Sequence, residues 1–197
     1  MYDLPTSITM NSQEWPIRNK ADFRVILDCF LALGDEELTT EEKVFSSLII
    51  FYEDLNSIED VMNLPDIKEA FDKMSLFFNC GQPDVKSSKS QKLIDWEDDS
   101  PLIMSAINKV AGKEVRAESY VHWWTFMGYY VAIGECPLAT IVSIRYKKLN
   151  CKKLEKWEKD FIKDNPQYFT SSAQLIAQQE AEDWVRQMWE GGGKIDG

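Results

Sequence analysis

The sequence predicts an all-α, mostly helical globular domain of several helices with a short N-terminal β-hairpin or extended arm. Apolar residues recur every three or four positions over most of the chain, the period of a helix with one buried face. Capping residues and glycines separate these segments, as they do at helix ends. A chain of 197 residues with 44% hydrophobic residues is long enough to bury one sizeable core.

The first predicted element is the hairpin or arm between Ile8 and Ile17. β-Branched and aromatic residues lie on both sides of Asn11 and Ser12, a pair suited to a tight turn. Two strands alone are only marginally stable, so we expect them to pack against the helices.

The next segments have helical spacing. Asn19 is the predicted N-cap of the first helix, with Asp22 three residues later and Gly34 at its end. Its predicted buried stripe is Phe23, Ile26, Leu27 and Phe30. Thr39 or Thr40 opens the second helix, which buries Val44, Leu48, Phe51, Tyr52 and Leu55.

Two further helices are predicted before the middle of the chain. Ser57 caps a short one, and Pro65 is the expected first residue of another that ends at Gly81. A polar, serine-rich stretch without periodicity follows. We therefore predict four segments along the chain. Residues 1–81 form the hairpin and the first helices, and residues 82–94 form a linker or mobile loop. Residues 95–165 form an aromatic-rich helical part that shares one core with 1–81, and residues 166–197 form a C-terminal helix with a glycine-rich tail.

The second half is predicted to hold the central helix. Ser100 and Pro101 start a helix that Gly112 ends, and residues 120–133 are apolar on almost every side of a helical wheel. We expect that second segment to be a buried helix, since it is too short to cross a bilayer. Gly134 and Pro137 mark a break and a restart.

Charge is distributed unevenly along the chain. Residues 35–72 contain twelve acidic and two basic residues, whereas residues 145–163 contain eight basic and three acidic residues. Such patches can dock within one chain or between copies of it, or each can be a solvated helix face. The last predicted helix, near residues 171–189, carries Trp184 and Met188 and either docks on the core or holds a partner.

Composition excludes several functions. The net charge of −11 and the pI near 4.6 argue against nucleic acid and anionic membrane as partners. The N-terminus carries no secretory signal, so we expect a cytoplasmic protein. The four cysteines are scattered and the chain has a single histidine, so neither a metal nor another cofactor is predicted.

No catalytic motif is visible. His122 has no nucleophile or carboxylate in a local motif, and a packed histidine with one satisfied nitrogen is the more common arrangement. The acids from Asp95 to Asp99 lack the spacing of a calcium loop and precede a helix whose positive end they can stabilise. An enzyme would need a site assembled around His122 and these acids, and an RNA-binding regulator would use residues 145–163.

Four short motifs, in this order, resemble a family of bacteriophage tail proteins. They are Tyr2-Asp-Leu-Pro5, Asp22-Phe-Arg24, Asp95-Trp-Glu-Asp-Asp99 and His122-Trp-Trp-Thr-Phe126. The family is encoded just ahead of the tape-measure gene in long-tailed phages and prophages of Gram-positive bacteria. The resemblance covers roughly residues 1–165.

The resemblance implies a nonenzymatic tail assembly chaperone in the host bacterial cytoplasm, which binds the tape-measure protein and helps recruit the major tail-tube protein. It also leaves open a homo-oligomer and the alternative of a structural tail component retained in the particle. The candidate motif or partner-binding residues are Tyr2, Asp22, Phe23, Arg24, Asp95, Trp96, Glu97, His122, Trp123, Trp124 and Phe126, to which the C-terminal helix adds Trp184 and Met188.

Overall fold

The computed structural model describes residues 3–83 and 93–169 and confirms the predicted mostly helical fold with a two-stranded N-terminal hairpin. The strands are β1 (Ser7–Met10) and β2 (Gln13–Pro16). The helices are α1 (Phe23–Gly34), α2 (Thr40–Phe51), α3 (Ile58–Met62), α4 (Ile67–Phe78), α5 (Ser100–Ala111), α6 (Trp123–Val131), α7 (Pro137–Leu149) and α8 (Lys156–Asp164).

The chain divides into two compact units, Met1–Cys136 and Pro137–Gly197. Most of the predicted linker and the whole of the last predicted helix, near residues 171–189, lie outside the described residues. Within the described ranges, no helix is both long and apolar enough to span a membrane.

The hairpin forms where it was predicted and packs on the end of α2. Asn11 and Ser12 both have positive φ, of 49° and 64°, as the tight turn between two twisted strands requires. The ring of Trp15 meets the ring of Tyr52 edge-on, with 6.3 Å between centroids. The Tyr52 hydroxyl in turn donates a hydrogen bond of 2.9 Å to the carbonyl of Ala70 on α4.

Arg18, directly after the hairpin, closes the C-terminal end of α2. Its guanidinium group donates hydrogen bonds of 2.9 to 3.2 Å to the carbonyl oxygens of Ile49, Ile50, Tyr52 and Leu55. A cation at this end satisfies carbonyls that have no partner within the helix and lies at the negative end of the helix dipole.

Helix α1 starts later than predicted. Its N-cap is Asp22, whose Oδ1 accepts the backbone N–H of Arg24 at 3.1 Å. The prediction that Asn19 caps this helix is wrong, because Asn19, Lys20 and Ala21 all have positive φ and form a left-handed turn before it. The predicted stripe also shifts, since the fully buried residues of α1 are Phe23, Val25, Ile26 and Cys29.

Most other helix ends follow the predicted chemistry. Thr39 and Glu42 form a reciprocal capping box at the start of α2, and Ser57 caps α3. Gly112 ends α5 in the left-handed conformation, with φ of 68°. Helix α4, however, begins at Ile67 rather than at Pro65, because the side chain of Asp66 accepts a backbone N–H and caps it.

The aromatic segment is shorter and less buried than predicted. Helix α6 begins at Trp123, with the ring of His122 as its N-cap. Only Trp123 and Phe126 of this helix are fully buried, whereas Tyr120 before it is 43% exposed and Val131 at its end is 77% exposed. The aromatic segment therefore has a side that faces solvent. The prediction that it is buried on all sides is wrong.

Aromatic rings join several helices in the core of the first unit. Phe23 of α1 stacks on Phe126 of α6, with 4.5 Å between ring centroids. Phe51 of α2 meets Phe77 and Phe78 of α4 edge-on. These contacts join residues from both sides of the undescribed segment 84–92 in one core.

In the second unit, an ion pair with a buried carboxylate joins α7 and α8. Nζ of Lys147 on α7 lies 2.6 Å from Oε1 of Glu158 on α8, and the Glu158 side chain is only 1% exposed. The hydrogen bond from Lys147 holds the pKa of Glu158 below its ordinary value. Arg145 on α7 donates through Nε and Nη2 to the carbonyl of Tyr168, at 2.9 and 2.7 Å.

Candidate functional site

The motif at residues 22–24 is hydrogen-bonded to the start of the motif at residues 122–126. The backbone N–H of Phe23 donates to the carbonyl of Val121 at 2.9 Å, and the N–H of Val121 donates to Oδ2 of Asp22 at 2.9 Å. Asp22 and His122 thereby form an antiparallel bridge between the start of α1 and the start of α6. We call Asp22, Arg24, Val121 and His122 the motif junction.

Arg24 ties a third segment to the motif junction. Its Nη1 lies 2.9 and 3.1 Å from the two carboxylate oxygens of Asp22, whose side chain is only 8% exposed. Its Nη2 donates to the carbonyls of Arg116 and Glu118 at 3.0 and 2.8 Å. One guanidinium group thus orders the loop between α5 and α6 against the start of α1.

His122 is held through both ring nitrogens. Nδ1 accepts the backbone N–H of Trp124 at 3.0 Å, so the ring proton lies on Nε2, which donates to the carbonyl of Pro5 at 2.9 Å. The residue is 2% exposed, and this burial lowers the pKa of the imidazole. The neutral ring fixes the N-terminal segment to α6.

The acids from Asp95 to Asp99 shape a turn in front of α5. Oδ1 of Asp95 accepts the N–H groups of Glu97 and Asp98, and Oδ2 of Asp99 accepts the N–H of Asp95. Asp99 occupies the N-cap position of α5 without a side-chain bond to a helix N–H, which differs from the expected capping. Across residues 3–83 and 93–169, no three His, Cys, Asp or Glu side chains gather to hold a metal ion.

Trp96 connects this turn to the other motifs. Its ring lies parallel to that of Phe30 on α1, with 5.7 Å between centroids. It also contacts Trp123 at 6.1 Å and Tyr130 at 5.5 Å, both on α6. Phe126 stacks on Trp123 and on Phe23, so ring contacts link three of the four motifs.

The predicted aromatic site residues differ in what they expose. Phe23, Trp123 and Phe126 are at most 1% exposed, so their side chains present no surface to a partner. Trp124 is half-buried, and its Nε1 donates to the carbonyl of Phe77 at 3.0 Å. Tyr2, Trp184 and Met188 lie outside the described residues.

A groove runs between the end of α1 and the turn before α5. Its apolar side includes Leu31, which is 44% exposed, with Ile50 and Trp96. Its acidic residues are Asp28, Asp35, Glu36, Asp95 and Glu97. None of the described residues that line it is basic, and we call it the acidic groove.

The acidic groove was missed in the sequence, although one signal for it existed. Leu31 and Leu33 flank the predicted buried stripe of α1, and three acidic residues, Asp35 to Glu37, follow directly. Apolar side chains beside carboxylates suit a helix with an apolar stripe and basic edges. Of the predicted site residues, Asp95, Trp96 and Glu97 line this groove.

Comparison with known proteins identifies one family. The family model described as Bacteriophage Gp15 protein matches residues 1–170. No curated protein and no solved structure matches the chain.

Proposed function

Because the chain belongs to the bacteriophage Gp15 protein family, we propose that it is a nonenzymatic tail assembly chaperone that binds and solubilises the tape-measure protein in the host cytoplasm. The order of the four motifs and their resemblance to proteins encoded ahead of the tape-measure gene support this proposal. A long helical client whose apolar stripes are exposed before assembly aggregates unless those stripes are covered.

The acidic groove is the single structural observation that carries the proposal. It offers apolar side chains, among them the exposed Leu31, flanked by five carboxylates and by no described basic residue. An amphipathic client helix would lay its apolar stripe against Leu31 and Trp96 while its lysines and arginines face Glu36 and Glu97. Burial of the apolar stripe supplies affinity, and the charges select the client segment.

A chaperone must also release its client when the tail-tube subunits arrive. The groove is open and its acidic edge is solvated, so the electrostatic part of the binding is weakened by salt. We propose that the major tail-tube protein is the second partner, to which the client segment passes during assembly.

The proposal is tested by co-expressing the chain with the tape-measure protein from the neighbouring gene. We expect the client to stay in the supernatant only when the chain is present, and the two to elute together from a size-exclusion column. A client that is equally insoluble with and without the chain, and forms no complex, would overturn the proposal.

The alternative is a structural tail component retained in the finished particle. Purified particles distinguish the two, since a chaperone leaves before the tail is complete. We expect quantitative mass spectrometry to find no stoichiometric amount of this chain in them, whereas a fixed number of copies per tail would support the structural role.

A further inference from the structure

Helix α7 is apolar on two sides. One side is buried and consists of Leu138, Ile141 and Ile144. The other consists of Val142, Tyr146 and Leu149, which are spaced four and three residues apart and so lie along one line of the helix. Val142 is half-buried, whereas Tyr146 is 45% and Leu149 is 43% exposed. We call these three residues the α7 stripe, since an apolar stripe of a helix normally packs against another element.

The α7 stripe lies in a basic part of the chain. Residues 145–153 contain no acidic residue and five basic ones, which are Arg145, Lys147, Lys148, Lys152 and Lys153. Lys152 lies directly at the stripe, because its Nζ is 4.5 Å from the centroid of the Tyr146 ring. A segment that covers the stripe should therefore combine an apolar side with an acidic residue next to it.

The described chain ends beside the α7 stripe. Arg145, whose guanidinium group donates to the carbonyl of Tyr168, is one helical turn before Leu149 and therefore next to it. Nζ of Lys148 lies 5.8 Å from the ring centroid of Phe169, the last described residue. Residues 170–197 continue from this point, and the second compact unit includes them.

The sequence of residues 170–197 has the properties that the α7 stripe requires. It contains five acidic and two basic residues. The helix predicted near residues 171–189 carries on one side Ala177, Ala181, Trp184, Val185 and Met188. Glu180 is one turn before Trp184 and borders this side. Such a helix would span about 28 Å, whereas the 13 residues of α7 span about 20 Å, so it is long enough to cover the stripe.

We propose that residues 171–189 pack along the α7 stripe of their own chain. Phe169 lies near the C-terminal end of α7, so the segment runs back from there towards Pro137, antiparallel to α7. Burial of the two apolar sides stabilises the contact.

This direction determines which side chains meet. Trp184 packs on Val142 and on the ring of Tyr146, and Glu180 pairs with Lys152. Trp184 is then occupied within the chain and is not a contact for the client. The contact needs no client, so it stands or fails independently of the proposed function.

Photo-cross-linking in the full chain tests the contact. Benzoylphenylalanine at position 146 keeps an aromatic ring and reacts under ultraviolet light with the groups that touch it. We expect mass spectrometry to find cross-links from position 146 to residues 171–189. In an equal mixture of ¹⁵N-labelled and unlabelled protein, both cross-linked peptides should come from the same chain. The same group at Met62, which is 66% exposed on α3, is the control and should not react with that segment.

Substitutions test which side chains hold the segment. Trp184→Ala removes the largest apolar side chain of the segment, and Leu149→Arg places a cation in the stripe. Each should lower the cross-linking yield about tenfold if it weakens the contact by about 1.4 kcal/mol. The matched control Trp157→Ala removes a ring that is 57% exposed on α8 and should leave the yield unchanged.

Three results would overturn the proposal. The first is the absence of cross-links from position 146 to residues 171–189. The second is cross-links that join labelled to unlabelled chains, which would assign the segment to a second copy. The third is an unchanged yield in both Trp184→Ala and Leu149→Arg, with circular dichroism showing that the variants are folded.

Discussion

At the scale of single residues, His122 has one hydrogen-bond partner that its local sequence explains and one that only the fold explains. The sequence predicted a packed imidazole with one satisfied nitrogen, but His122 bonds through both nitrogens, to Pro5 and to Trp124. The partner at Trp124 is local and follows from an N-cap position. The partner at Pro5 lies 117 residues away and depends on the tertiary fold, so no sequence pattern could predict it.

The neutral state of His122 predicts a pH dependence of stability. Burial lowers its pKa in the folded chain below the unfolded value of about 6.5, so the unfolded chain binds the proton more readily. The contribution of the neutral ring is therefore complete above about pH 6.5, and it falls as the pH drops from there towards the folded pKa.

The variant His122→Asn separates this effect from other titrations. Asparagine retains an N-cap oxygen for the N–H of Trp124 but does not titrate. The free energy of unfolding is measured in urea at pH 7.5 and at pH 5.5. It should decrease more between these two pH values in the wild type than in the variant. Equal losses in the two proteins would show that His122 does not contribute to the pH dependence.

Asp22 is expected to be the most sensitive polar residue of the motif junction. Asp22→Ala removes the cap of α1 and leaves the buried N–H of Val121 without its acceptor. We expect a loss of about 2–3 kcal/mol in the free energy of unfolding, measured by urea titration. The exposed Asp72→Ala, which also removes a carboxylate with a basic partner, is the control and should change stability little.

At the scale of secondary structure elements, a helix end could be predicted from the sequence where the groups that cap it are close neighbours along the chain. The start of α2 at Thr39 or Thr40, the cap at Ser57 and the helix end at Gly112 were predicted correctly, because their partners are within four residues. The left-handed turn of Asn19 to Ala21 was not, because no glycine marks it. A distant bond supports it, since the hydroxyl of Tyr120 donates to the carbonyl of Lys20 at 2.8 Å.

Because residues 19–21 are left-handed, a glycine substitution in this turn should not destabilise the protein. Lys20 is exposed and has φ of 54°, where a side chain costs about 1 kcal/mol that glycine does not. Lys20→Gly should therefore leave the free energy of unfolding unchanged or raise it by up to about 1 kcal/mol. In the exposed helical control Lys109→Gly on α5, we expect a loss of about 0.5–1 kcal/mol. An equal loss in both variants would contradict the strain at Lys20.

At the scale of the whole molecule, the sequence predicted the parts of the site better than their arrangement. Helices and hairpin were recognised from residue patterns and the motif residues from the family resemblance, whereas the convergence of the motifs around Trp96 and Trp123 required the fold. The acidic groove combines residues near 28–36 with residues 94–97, on opposite sides of an undescribed segment. Surfaces of this kind depend on which helix sides remain exposed, and helical periodicity alone does not determine that.

The central claim is that the acidic groove holds the tape-measure client. The most direct measurement is the fraction of soluble client when it is co-expressed with the wild type, with Leu31→Arg in the groove, or with Val131→Arg at the 77% exposed end of α6. The arginine at position 31 places a cation among the carboxylates and removes the exposed apolar contact. We predict that Leu31→Arg loses most of the soluble client while Val131→Arg keeps it. Equal client solubility with both variants would contradict the claim.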